Sequence, residues 1–520
     1  MKNYYIYLLC ALVLLLVGAF YYTQGADAVV IEKYTEVHRL PGIRSDYTGI
    51  VIPPNIAPLN FVIREPGTQY FVRIYSRHGE SIEVSSMGPK IVISPDRWKK
   101  LLNANRGSKL FFDVYVREAD DGWKRYQAIV NTIANEAIDG YLVYRKIKPL
   151  HGWWQSVGIY QRNLENYDES EVLHGESFGK GCVNCHTFLN NSTESMVIGI
   201  RSEKYGVSAI LARDGKVSKI GTKFGYTAWH PSGRLVLYSV NKVLGFYHTG
   251  GPQVRDVLDL ASALCYYQVE DKTVKTVPAI SNRRQMETYP AWSPDGRYLY
   301  FCSAPLLWSP DSSGEVTFDL MRKLRYDLIR ISYDIETDQW GELETVLSAD
   351  ETGLNIMLPR VSPDGRFLLF CMCEYGCFPI YQPSSDLYLM DLETGRYRKL
   401  QINSNRSESW HSWSSNSRWI AFSSKRREGP FTRSFISYVD EAGKVHKPFV
   451  LPQEDPAFYD SFLKAYSVPE LVTGPVPVEQ MELARAIRSS DEIEVDLPFT
   501  SATPKVREPV STGTRYPGRE

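Results

Sequence analysis

Four stretches of this chain repeat one pattern, which reads as a strand, a tight turn and a second strand. Residues 226–239, 289–302, 358–371 and 410–423 align on the turn, written Pro231-Ser232-Gly233-Arg234, Pro294-Asp295-Gly296-Arg297, Pro363-Asp364-Gly365-Arg366 and Ser415-Asn416-Ser417-Arg418. Proline supplies a set φ and glycine a permissive one, as a hairpin reversal demands. A further strand and turn follow each hairpin, as in residues 385–400, so each unit has four strands. Four-stranded units recurring every ~40 to 70 residues are propeller blades, because no blade buries both faces until neighbours stack on it. A partial unit at 195–221 has strand material but no leading hairpin segment, so its missing strand comes from elsewhere in the chain. The repeat predicts five or six blades over residues 195–465. An open solenoid would leave long uncovered edges.

The chain has 520 residues, too many for one ordinary core. Ahead of the repeats, residues 50–148 alternate like half-buried strands, with Pro95-Asp96-Arg97-Trp98 opening one short helix. That stretch predicts a β-sandwich and makes the whole all-β. Residues 149–194 break the rhythm and read as a connector carrying Trp153, Trp154, Tyr160 and Tyr167, while 466–520 reads as a partly disordered tail. At the N-terminus, residues 1–28 combine Lys2, an uncharged stretch from Tyr4 to Tyr22 and the small residues Ala26 and Ala28. This is an export signal or an uncleaved inner-membrane anchor, and either places the remainder on the exported side. Lys plus Arg number 59 against 60 Asp plus Glu, so charge gives no reason to propose nucleic acid as a partner.

The connector contains Cys182-Val183-Asn184-Cys185-His186. This spacing suits two thioether bonds to one covalent haem c, with His186 as proximal iron ligand. A disulfide with an incidental histidine, or half of a zinc site lacking its other ligands, are the duller readings. Gly175-Glu176-Ser177-Phe178-Gly179 matches a hydrolase nucleophile elbow, but no strand, helix and downstream acid surround it. Cys302 and Cys371 hold equivalent blade positions, which points to buried packing; Cys371, Cys373 and Cys377 lack a nearby histidine for a metal site. Glu287 and Glu408 also align, each two residues before the repeat's leading aromatic; they read as blade-end caps or as a cation site at the channel mouth.

The Ser-Pro-Asp-Gly-Arg hairpins resemble the TolB-like propeller repeats of the bacterial envelope. Residues 160–166, 182–186 and 412–419 further resemble a Bacteroidetes-type group of TolB-like proteins carrying Cys-x-x-Cys-His ahead of the propeller. The resemblance covers about residues 50 to 470 and implies the architecture and a haem, without a defined reaction. That group has Phe or Tyr followed by His after Ser-Val-Asn, matched here by Tyr247-His248 after Ser239-Val240-Asn241. His248 also lies in an insertion, 242–255, that the next blades lack, and it is the expected sixth ligand. His230, His411, Met196, Met286 and Met357 have ordinary blade explanations or compete less well.

The expected function is that of a periplasmic mono-haem cytochrome on a propeller scaffold, passing electrons to or sensing redox state with a protein partner, and not necessarily an enzyme. The alternative is a non-redox envelope scaffold that binds a protein or glycan, with structural haem or none.

Overall fold

The computed structural model describes residues 31–118, 122–148, 157–247, 255–308 and 318–496. Each repeat closes its turn as its residues require. Gly233, Gly296 and Gly365 take φ of 71°, 74° and 74°. In three of the four repeats the serine before the turn then accepts from the backbone five residues on, at 2.9 Å for Tyr298 N to Ser293 Oγ, 2.9 Å for Phe367 N to Ser362 Oγ and 3.0 Å for Trp419 N to Ser414 Oγ.

Six four-stranded antiparallel sheets result among the described residues. Blades 1 to 5 begin with the strands Cys182–Leu189, Gly225–Trp229, Gln285–Trp292, Asn355–Val361 and Glu408–Trp413. Blade 6 is built from both ends of the region: Tyr141–Ile147, Gly158–Asn163 and Glu169–His174 are completed by Ala465–Val472. The leading strand of each blade touches that of the next, and Ala465–Val472 touches Cys182–Leu189, so the ring closes. This is a six-bladed β-propeller. Apolar clusters fill the seams between blades, with Val143, Ile159 and Leu173 of blade 6 against Val183, Ile198 and Ile200 of blade 1.

Residues 34–133 form a seven-stranded and a three-stranded sheet beside the helix Pro95–Ala104. Ile52, Val72 and Phe112 from one sheet, Phe61 and Ile91 from the other and Trp98 from the helix share the core. The ring contains more of the chain than the 195–465 expected from the repeats. The stretch expected to be a connector supplies three blade strands, Tyr141–Ile147 is the second strand of blade 6 and not the end of the sandwich, and the expected tail supplies the closing strand and the helix Gln480–Arg488. Blade 1 hides because Asn190 and Asn191, at φ of 50° and 60°, replace the Pro-Asp-Gly turn.

Among the described residues no helix is long and apolar enough to cross a membrane. The apolar stretch Tyr4 to Tyr22 lies outside them.

Candidate functional site

Cys182, Cys185 and His186 open the innermost strand of blade 1. Its ladder pairs Cys182 with Arg201, Val183 with Ile200 and His186 with Ile198, and the register slips between Val183 and His186. Such a bulge recurs in the innermost strand of all six blades. Directly paired residues share a face, and neighbours along a strand alternate. Cys182 therefore lies on the Arg201 side, which faces blade 2, with Arg201 Nη2 3.8 Å from its Sγ. His186 lies on the Ile198 and Ile200 side, which faces blade 6.

His186 is unusual among the described histidines of the ring. Its side chain is 0% exposed, and among the described residues neither ring nitrogen has a hydrogen-bond partner. The carbonyls of Val143 and Val468 face the ring without meeting hydrogen-bond geometry, and Glu470 Oε2 stands 3.9 Å from Nε2. Burial, helped by the Arg145 charge, pushes the imidazole down to about 3, so it is neutral. Burial also raises Glu470 to about 7, although it accepts from Phe188 N at 3.2 Å. His230 and His411, by contrast, are engaged structurally. His230 Nε2 lies 3.1 Å from Gly296 O and His411 Nε2 3.0 Å from Leu369 O.

Positive charge gathers around the motif. Arg201 and Lys223 stand by the thiols, and Arg360 and Arg145 by His186. Cys182 and Cys185 are both buried and neither is in a disulfide. The donor chemistry thus fits a c-type haem: two free thiols at thioether spacing, an imidazole with two orphaned nitrogens, and cations to offset an anionic group. The strand register presents those donors in two directions, because Cys182 and His186 occupy opposite faces.

His248 lies outside the described residues. The strands leading to and from it, Leu235–Tyr247 and Arg255–Gln268, end on the face of the ring where the Cys182 strand begins. Trp153 and Trp154 also lie outside the described residues. Tyr167 packs at the junction with the sandwich, its hydroxyl donating to Pro58 O at 2.8 Å, and Tyr160 lies under Lys146 Nζ at 4.2 Å. Gly175–Phe178 is a single 3-10 turn, and Ser177 Oγ donates to His174 O at 2.7 Å. Cys265, Cys302, Cys371, Cys373 and Cys377 are buried, and among the described residues no three metal-ligating side chains converge.

Sequence reasoning missed what fills the channel. Tyr226, Tyr289 and Trp410 sit on the bulges with φ of 42°, 53° and 46°, a left-handed backbone that is costly for large residues. Their rings meet, Tyr226 to Tyr289 at 4.2 Å and Tyr226 to Trp410 at 6.3 Å, and Phe378 joins at 5.9 Å from Tyr226 and Trp410. The signal was the aromatic that leads three of the four repeats, placed where a bulge re-aims a side chain.

No family model matches this chain, and no curated protein matches it. Solved structures similar to it include TolB from Acinetobacter baumannii (13% identity, 70% of this chain and 79% of that one, TM-score 0.41). Others are a luciferin-regenerating enzyme (10%, 59% and 91%, TM-score 0.34) and the Dos1 propeller (13%, 54% and 64%, TM-score 0.30). Scores this low leave the propeller assignment resting on the six sheets of the chain itself.

Proposed function

We propose that this chain is an exported c-type haem protein of the periplasm, held to the inner membrane or released by its N-terminal segment. Electron transfer or redox sensing with a protein partner is its role. Cys182 and Cys185 would hold one haem and His186 would ligate its iron, with His248 as the sixth ligand. The observation that carries this reading is His186: a fully buried imidazole with two unpartnered nitrogens is expensive, and it stands in Cys-x-x-Cys-His spacing with two free thiols. When bound, haem supplies a one-electron iron centre. The protein's own part is to exclude water at His186 and to set Arg145, Arg201, Lys223 and Arg360 around the motif.

One observation favours the alternative, a non-redox binding propeller in which His186 is a residue of the blade 6 to blade 1 seam. Cys182, paired to Arg201, lies on the face opposite His186, so that pairing would have to open for both to hold one macrocycle. One experiment separates the haem reading from a propeller without haem. Expressed with haem-attachment machinery and then denatured, the protein is expected to retain haem colour and mass, and Cys185→Ala to lose most of it. The backbone amides bonded across the Cys182–Val183 and Ile200–Arg201 pairing should exchange faster in the haem-loaded chain, because this pairing must open. His248→Ala should turn a low-spin spectrum high-spin with haem still attached. Colourless protein from a haem-competent host sinks the haem reading and leaves the binding propeller.

A further inference from the structure

Two histidines hold the same place in their blades. The His411 imidazole of blade 5 faces the carbonyls of Leu369 and Leu358 of blade 4, and the His186 imidazole of blade 1 faces those of Val143 and Val468 of blade 6. Leu369 pairs with Arg360 as Val143 pairs with Glu470, and Leu358 and Val468 both sit on bulges, with φ of 58° and 51°. The pairing within each blade agrees. His186 meets Ile198 and Val183 meets Ile200, just as His411 meets Phe422 and Glu408 meets Ser424. Cys185, the residue before His186, therefore stands where Trp410 stands, on the channel beside Tyr226 and Tyr289.

Opposite blade 1 in the ring, blade 4 carries Arg360 just past its bulge, where blades 2 and 3 carry Ala228 and Ala291 and leave room. The half-buried guanidinium reaches back to blade 3, with Nη1 3.5 Å from Pro290 O. Among the described residues it makes no other hydrogen bond and no ion pair. Its charge is felt at Cys185 of blade 1 and Glu470 of blade 6, so it lies in the channel between them. Glu470 answers it poorly. That carboxyl accepts from Phe188 N at 3.2 Å, and burial raises it to about 7, so at neutral pH it is incompletely ionised. Two other cations near the motif are already engaged, Lys223 Nζ with Asn241 O at 3.1 Å and Arg145 Nη2 with Ser467 Oγ at 3.3 Å. A guanidinium drawn out of bulk water without a carboxylate is costly, and burial pulls this one below its ordinary range.

We infer that Arg360 pairs with a propionate of the haem, which makes it a cofactor-binding residue on the far side of the channel from Cys185. This rests on the haem reading. A thioether at Cys185 brings one edge of a porphyrin to the channel, and each propionate of that porphyrin is a carboxylate. Guanidinium and carboxylate match as two parallel N–H···O bonds, a geometry that lysine does not reproduce.

Thermal melts of the full chain with and without haem, in the parent and in Arg360→Met, test this. Without haem the variant is expected to melt above its parent, because an unpaired cation is gone. With haem it should melt below, because a propionate is left unpaired. Resonance Raman spectra of the loaded chains give a second readout. The propionate bending band should move in Arg360→Met, move less in Arg360→Lys and stay in place in the exposed Arg396→Met, with haem attached in all three. A propionate band unmoved in both Arg360 variants, or a melting shift of the same sign with and without haem, overturns the inference and leaves the haem reading standing. A colourless parent from a haem-competent host overturns both.

Discussion

A chain ending at Lys464 is expected to lose cooperative folding, whereas a chain ending at Asp496 should keep it. Ala465–Val472 is the innermost strand of blade 6 and pairs along Tyr141–Ile147. It buries Ala465, Tyr466, Leu471 and Val472 and is bonded on both sides of the seam. Asn191 Nδ2 donates to Leu471 O at 2.8 Å, Ser412 Oγ accepts from Leu471 N at 3.2 Å and Glu470 accepts from Phe188 N. At ~1.5 to 3 kcal/mol for each large buried apolar side chain, the three larger ones alone contribute roughly 5 to 9 kcal/mol. That approaches the roughly 5 to 15 kcal/mol of a whole domain. The same truncation removes Leu483, Ala484 and Ile487 of the helix Gln480–Arg488, all buried in or beside the seam. Circular dichroism and thermal melts of the two chains decide it. A parent-like melt for the shorter chain would show that the ring does not close through this strand.

That closing strand marks where the sequence stopped being legible. Four blades announce themselves because their turns draw on proline, glycine, asparagine and serine, residue types whose backbone demands are local and therefore visible in one chain. Blade 1 turns on Asn190 and Asn191, and blade 6 has no such turn, because its first two strands are more than 300 residues apart in sequence. Pairing at that distance leaves no periodicity to read. The motif shows the same limit. Cys-x-x-Cys-His was plain as a set of donors, but which way each side chain faces depends on a register set by Ser192–Ser202 and on a one-residue bulge. Similarly, the aromatic that opens the repeats was visible while its destination was not. Only the closed ring brings Tyr226 of blade 2 opposite Trp410 of blade 5.

Glu287 and Glu408, which align in the repeats, are expected to respond in opposite directions when replaced. Both are buried, 2% and 0% exposed. Glu408 is fully engaged: its Oε1 accepts from Ser404 Oγ at 2.7 Å, Ser424 Oγ at 2.8 Å and Arg426 Nη2 at 3.0 Å. Glu287 pairs with Ser303 as Glu408 does with Ser424, but two residues further on Pro305 stands in place of Arg426. Among the described residues its Oε1 accepts only from Asn282 N at 3.3 Å and its Oε2 has no partner. Burial accordingly raises Glu287 to about 8, and the carboxyl is protonated at neutral pH. Below pH ~4.5 folded and unfolded chains both hold that proton, so it has no effect on stability. As pH rises toward 8 only the folded chain keeps it, and stability falls by ~1.4 kcal/mol per unit until the folded group also ionises. Glu287→Gln should therefore be nearly neutral at pH 5 and stabilise by roughly 2 to 5 kcal/mol at pH 8.5. Glu408→Ala strands the Arg426 guanidinium in the interior and should cost about 3 to 5 kcal/mol. Denaturant melts of both variants at the two pH values measure this, and a Glu287→Gln chain less stable than its parent at pH 8.5 would show that this carboxylate has a cationic or ligand partner after all.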